Sequence, residues 1–408
     1  MLTPDELAKL QEHLVPLYHQ LEDFILEDIA RRIKKTGKVT DTAKWQAEMA
    51  QENGISFKKI EEEVARITDI AIEEVEKLFN EASLMSLKDE LALYEEVGLT
   101  PLKLENSPLL REYLQAAIAQ TQGELRNITA SMGFADIVGG KIVYKPIAKT
   151  YHDTLDLAQF QVSSGVVDYN TAIRQAVKKL SDSGLRYVDY KSGWSNRVDV
   201  AVRRATLTGL NQMANKLTEA NMEHLDIRYV ETTAHAGARP EHQNWQGQVF
   251  TYKGVDARYP DFVESTGYGR GDGICGWNCR HSFHPFIPGV STPAYSEEDL
   301  KRIKDQDERI VEYNGKSYNL YQATQKQRQI ETTIRKTKRE LLCYNAAELK
   351  DEFTKVSIKL QRQKEYYRRF SHAAKLKTQN ERHQVYRFDK SVAQKAVQAA
   401  KKRSDAHV

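Results

Sequence analysis

Apolar side chains recur at three- and four-residue steps near the start of the chain: Leu7, Leu10, Leu14, Leu17, Leu21 and Phe24. That spacing lines one face of a helix. Thr3, Pro4 and Glu6 predict its start, because Thr3 can cap, proline suits the first turn and Glu6 completes a capping box. Pro16 interrupts the row and predicts a kink or two helices. Ile60, Val64, Ile67, Ala71, Val75 and Leu78 repeat the pattern, and Asn106-Ser107-Pro108 opens another helix containing Leu110, Leu114 and Ile118. Gly37, Gly54 and Gly98 are read as breaks between these pieces. Residues 1–125 therefore read as an elongated helical region.

The pattern then becomes mixed. Ile137-Val138 and Ile142-Val143-Tyr144 flank Gly139-Gly140, the signature of a hairpin. Helices are expected over 147–163 and 168–183, a short strand over Arg186–Tyr190, and a strand over 226–233. Between these strands Asn196 is expected to cap a long helix with Val198, Val202, Ala205, Leu210, Met213 and Leu217 on its core side. From 234 to 295, glycine and proline are too dense for many regular elements, and the aromatics and histidines among them argue for an ordered loop. Beyond 296 the chain is expected to be helical again. Ser296-Glu297-Glu298-Asp299 starts one helix, and Asn345-Ala346-Ala347-Glu348 reads as a second capping box. The predicted class is α+β, mostly helical. It comprises an elongated helical region (1–125), a small mixed α+β core with a Gly/Cys/His-rich loop (126–295), and a helical, basic C-terminal region (296–408).

Charge sharpens this division. The net charge of +3 over 408 residues conceals an acidic head and a basic tail. Residues 1–100 carry 12 Lys+Arg against 22 Asp+Glu, and residues 320–408 carry 22 against 9. Such ends favour contacts with different surfaces. A hydrophobic fraction of 40% with 29% charged residues excludes a wholly disordered chain or a collagen. No window approaches the roughly 18 apolar residues of a membrane span, so no membrane association is expected. The first residues lack a basic segment followed by an apolar run, so no secretory leader is expected. Three cysteines, Cys275, Cys279 and Cys343, argue against a disulfide scaffold and for a reducing compartment.

Candidate chemistry concentrates in the loop. Four histidines (His235, His242, His281, His284) and two cysteines (Cys275, Cys279) fall within 50 residues. Thiolate and imidazole are the ligands zinc prefers in tetrahedral sites. Cys275 and Cys279 can reach one ion if Gly276 allows a turn, and His281 or His242 can close the shell. A metal would supply the cross-link that a glycine-rich loop lacks in apolar core; structural zinc contributes about 10–16 kcal/mol in small peptides. The competing reading is a metal-free loop held by hydrogen bonds and aromatic packing. A Cys–His nucleophile pair lacks an orienting third residue. The run Gly267–Gly273 imitates a phosphate cradle but lacks the Gly-Lys-Ser/Thr ending. Arg239, Arg270 and Arg280 beside Trp245, Tyr268 and Trp277 suggest guanidinium–aromatic stacking that orders the loop, with a grip on a partner as the alternative. Tyr366, Tyr367 and Phe370 interleave with Arg368 and Arg369 in the basic tail, a pattern that fits contact with DNA phosphates and equally an ordinary amphipathic helix pair.

These residues also carry a resemblance. The string Gly237-Ala238-Arg239-Pro240-Glu241-His242-Gln243-Asn244-Trp245-Gln246-Gly247, then Thr266-Gly267-Tyr268-Gly269, then Gly273-Ile274-Cys275-Gly276-Trp277-Asn278-Cys279-Arg280-His281-Ser282-Phe283, resembles the tailed-phage minor capsid protein 2 family, which looks related to Mu F-type head-morphogenesis proteins. The resemblance covers residues 1–300. It implies a non-enzymatic structural protein of the virion, at the portal vertex, contributing to head assembly or to DNA packaging and ejection. The implied partners are the portal, other capsid proteins and, through the basic tail, packaged DNA. The implied locations are the virion and, during assembly, the host cytoplasm. It supplies no catalytic residues. An aromatic residue often stands in that family where this chain has His284, which leaves Cys275, Cys279, His281 and His242 as the candidate zinc ligands. The alternatives are a metal-dependent nucleic-acid-processing enzyme and a DNA-binding packaging factor.

Overall fold

The predicted capping box forms: the Thr3 backbone N–H donates to Glu6 at 2.8 Å, and the Glu6 N–H donates back to the Thr3 hydroxyl at 3.3 Å. It launches helix α1 (Pro4–Leu10). The structure, a computed structural model, describes residues 2–10, 13–36, 43–163, 166–188 and 195–405. Pro16 separates two helices rather than kinking one, because it sits in the first turn of α2 (Val15–Thr36), where its missing N–H costs nothing. Helix α3 (Ala43–Glu96) runs straight through Gly54, so that expected break is corrected. A helical glycine costs only about 1 kcal/mol relative to alanine, and Ile60, Ile67, Ala71, Val75 and Leu78 on the same helix are all buried. Gly37 lies outside the described residues. The Ser107 hydroxyl accepts the Leu110 N–H at 3.3 Å and starts α4 (Pro108–Ala130) as expected.

Strands β1 (Met132–Val138) and β2 (Lys141–Pro146) form the Gly139-Gly140 hairpin, with Val138 opposite Lys141. Helix α5 (Ile147–Ser163) follows, then α6 (Tyr169–Ser183), capped by Asp168, which accepts the Thr171 N–H at 3.1 Å. Strand β3 (Arg186–Val188) is the predicted strand, though Asp189 and Tyr190 lie outside the described residues. Asn196 does not cap the next helix. It pairs with Tyr187 inside β4 (Ser195–Arg197), and α7 (Val198–His224) begins after it. Cross-strand pairing holds its backbone and competes with capping. These strands make an antiparallel sheet ordered β2-β1-β3-β4.

The glycine-rich segment holds more regular structure than its composition suggests. Strand β5 (Tyr229–Thr232) is flanked by β6 (Val249–Thr251) and, after short helix α8 (Phe262–Thr266), by β7 (Phe283–Phe286), all antiparallel. The Ser296–Asp299 capping box forms at the start of α9 (Glu297–Glu308). A hairpin then interrupts the expected all-helical stretch: β8 (Val311–Tyr313) pairs with β9 (Lys316–Tyr318) around Asn314-Gly315, both left-handed. Helices α10 (Leu320–Ala346), α11 (Lys350–Ala373) and α12 (Lys390–Asp405) complete the chain. The Asn345–Glu348 capping box does not form, because α10 continues through Ala346 and Glu348 turns left-handed at φ 57°. No helix among the described residues is long and apolar enough to cross a membrane.

The chain gathers into two compact units, each assembled from three separated stretches. One contains Met1–Val15, Ile70–Arg126 and Val202–Thr324; the other contains Pro16–Asp69, Asn127–Ala201 and Gln325–Val408. In the first, Asn221 clamps the segment before α4: its amide oxygen accepts the Leu102 N–H at 2.7 Å and its amide nitrogen donates to the Leu102 carbonyl at 3.2 Å. Glu90 of the same unit is buried, with one oxygen accepting the Thr218 hydroxyl at 2.7 Å. Burial raises its pKa from 4.5 to about 7. The folded state therefore holds the proton more tightly than the unfolded chain does. This contribution is full below pH 4.5 and is lost as pH rises through about 7, amounting to about 3 kcal/mol. Glu90→Gln is expected to flatten the stability profile across that window. A variant whose urea midpoint keeps the wild-type pH dependence would contradict this.

Candidate metal centre

The site begins on a buried helix. Asn211, Asn215 and Glu219 recur at four-residue steps along α7 and are all buried. A buried polar stripe must find partners, and here the partners belong to the glycine-rich loop. The Asn211 amide nitrogen donates to the carbonyls of Cys279 at 3.2 Å and His281 at 2.8 Å. Asn215 steadies Asn211 by donating to its backbone carbonyl at 2.6 Å. Glu219 accepts the hydroxyls of Tyr252 at 2.8 Å and Tyr268 at 2.7 Å. Strand β5 continues into Thr233, whose N–H donates to the Ser282 carbonyl at 2.9 Å. An apolar cluster fills the space beneath: Met222, Val230, Trp245, Phe250, Phe262, Ile274, Cys275 and Phe283.

Two segments carry the ligand-type side chains to one point. Pro240 opens a 3-10 turn, Pro240–His242, whose last residue is buried. Cys279 and His281 arrive from the segment that leads into β7 and are also buried. The Cys279 Sγ lies 3.7 Å from His242 Nδ1 and 3.6 Å from His281 Nδ1. All three ligand atoms lie within 4.8 Å of one another. The far ring nitrogens are engaged: His242 Nε2 faces the Asp272 carbonyl at 2.8 Å, and His281 Nε2 faces Gln246 Oε1 at 3.1 Å. Burial depresses both imidazole pKa values, His281 well below the ordinary range, and it raises that of the Cys279 thiol. The histidines are therefore held neutral, the form that binds metals. A set of two imidazoles and one thiol suits a borderline-soft ion such as zinc.

The structure thus brings together His242, Cys279 and His281 and leaves Cys275 outside that trio. Cys275 is buried in the apolar cluster, its Sγ 3.6 Å from the His281 carbonyl. His235 stacks on the His281 ring at 4.5 Å, and burial together with the Arg280 charge lowers its pKa to about 3. His284 points elsewhere, pairing with buried Glu231 at 3.3 Å. The three loop arginines are engaged through hydrogen bonds: Arg239 donates to the Trp277 carbonyl, Arg270 pairs with Asp272 at 2.7 Å, and Arg280 contacts His235 at 3.1 Å. Sequence reading missed Asn211, Asn215 and Glu219 as loop anchors. The signal was their four-residue spacing on a helix otherwise rich in buried apolar positions.

The fold and this site define a largely helical α+β protein in which a glycine-rich loop is braced on a buried polar stripe. The chain belongs to the phage minor capsid protein 2 family, whose family model matches residues 2–371. It is a phage structural protein. It is also similar to a "Structural protein" of Lactococcus phage LL-H, 26% identical over 244 residues, which cover 58% of this chain and 60% of that relative. The chain thus aligns with less than two thirds of the relative's length. No solved structure matches it.

Proposed function

We propose that this chain is a minor component of the phage head that docks at the portal vertex and contributes to head assembly or to DNA packaging and ejection. The observation supporting this reading is the family match over residues 2–371, which spans stretches of both compact units. Part of the C-terminal positive charge is paired internally, and residues 320–408 keep an excess of 13 positive charges. Lys359 pairs with Glu340 at 3.2 Å, Arg369 with Glu365 at 2.6 Å and Lys355 with Glu352 at 3.2 Å. No enzymatic turnover belongs to the proposal. Mass spectrometry of purified particles is expected to find the chain at low copy number, and cross-linking of particles is expected to join it to the portal protein. Its absence from both particles and assembling heads would remove the proposal. Its presence cross-linked only to shell subunits would remove the portal assignment.

A further inference from the structure

We propose that His242, Cys279 and His281 bind one divalent zinc-type cation through His242 Nδ1, Cys279 Sγ and His281 Nδ1. This stands independently of where in the particle the protein sits.

The first argument is the size of the trio. A tetrahedral ion with Zn–S of about 2.3 Å and Zn–N of about 2.0–2.1 Å sets a sulfur-to-nitrogen edge of about 3.6 Å. The two edges here are 3.7 and 3.6 Å. Both sulfur–nitrogen edges stand at coordination spacing, and the two imidazole nitrogens lie within 4.8 Å of each other.

The second argument is the direction of the lone pairs. A backbone carbonyl only accepts, so His242 Nε2 must carry the proton it donates to Asp272, and its Nδ1 is left as a lone pair. Gln246 Oε1 also accepts the His235 backbone N–H at 3.1 Å, which fixes that atom as oxygen. His281 Nε2 must then donate to it, so His281 Nδ1 is a second lone pair. Both lone pairs face one sulfur that carries at most one proton. Without an ion, at least one buried acceptor lacks a donor in this trio, which is destabilising. A cation satisfies all three atoms at once. An outer hydrogen bond from the second ring nitrogen is also how metal-bound histidines are commonly held.

The third argument is rigidity. Asn211 holds the carbonyls of both Cys279 and His281, and the His235 and Trp245 rings pack against His281 at 4.5 and 4.8 Å. On binding, the Cys279 thiol proton passes to solvent, and the thiolate and two neutral imidazoles bind the ion. The ion would tie the Pro240–His242 turn to the Cys279–His281 segment, a cross-link the backbone does not otherwise supply at that point.

The test uses the full chain, stripped with a chelator and titrated with cobalt(II), then with zinc. One equivalent of cobalt is expected to bind with a thiolate-to-cobalt charge-transfer band that zinc abolishes. Cys279→Ser is expected to lose that band, whereas Cys343→Ala keeps it. Gln246→Ala is expected to retain the band with affinity weakened about 10–100-fold, the effect of losing an outer partner, and this result cannot come from a misfolded chain. Absence of the band in the wild-type chain would overturn the proposal. So would a Cys279→Ser protein that binds cobalt with the same band and affinity.

Discussion

Arg339→Met is expected to destabilise the chain by about 3–5 kcal/mol, the cost of removing one partner from a buried ion pair. The Arg339 side chain is 1% exposed; its Nε bonds Asp23 at 2.6 Å, and its Nη1 lies 2.9 Å from Glu22, too bent for a hydrogen bond. Burial opposes the charge on Arg339, but Glu22 and Asp23 outweigh it and hold its pKa above the ordinary value. Asp23 shows the opposite balance: burial raises its pKa even with Arg339 alongside. Removing the cation leaves buried Asp23 with only the Tyr386 N–H at 3.1 Å and no counter-charge beside it, and leaves Glu22 with Arg197 at 3.4 Å. Urea unfolding measures the loss. The triple variant Arg339→Met, Glu22→Gln, Asp23→Asn is expected to recover most of it, since neutral groups need no counter-charge. A single variant within 1 kcal/mol of wild type would show that the buried charges are uncoupled from folding.

Gly273→Ala is expected to disorder the loop beside the His242–Cys279–His281 trio at a cost above the usual range of about 1–3 kcal/mol for overpacking. A Cβ on Gly273 would stand 2.0 Å from the Gly267 carbonyl oxygen and 2.9 Å from that of Thr266, both backbone atoms that cannot swing aside. Relief would break the Ile274 N–H bond to the Thr266 carbonyl at 3.0 Å and draw Ile274 and Cys275 out of the apolar cluster. Gly269→Ala serves as the comparison. It meets open space and carries only the left-handed penalty of φ 86°, about 1–2 kcal/mol. Hydrogen exchange across 262–283 is expected to rise sharply in the first variant and little in the second. Equal protection in both would refute the close-approach argument.

Much of the local architecture is legible from neighbouring residues. The Thr3–Glu6 and Ser296–Asp299 capping boxes, the Gly139-Gly140 hairpin and the span of α5 all follow from side chains within a few positions of one another. The misses have local or competing causes. Asn314-Gly315 is a hairpin signal that helical expectation over 296–408 obscured. Asn345 and Glu348 satisfy a capping pattern, yet the continuing packing of α10 claims the first of them. Asn196 satisfies a capping preference too, but pairing with β3 takes its backbone.

The sequence by itself determined a mostly helical α+β chain of the phage minor capsid type, and it placed every ligand-type side chain of the loop on one short stretch. Only the tertiary structure decided that His242, Cys279 and His281 meet while Cys275 turns into the apolar cluster and His284 pairs with Glu231. The same holds for Asn211 and Glu219, whose loop partners lie more than thirty positions away. Caps and turns draw their free energy from adjacent residues, so spacing reveals them. Convergence across long loops depends on which buried polar groups satisfy one another once the core has closed, and no local period encodes that.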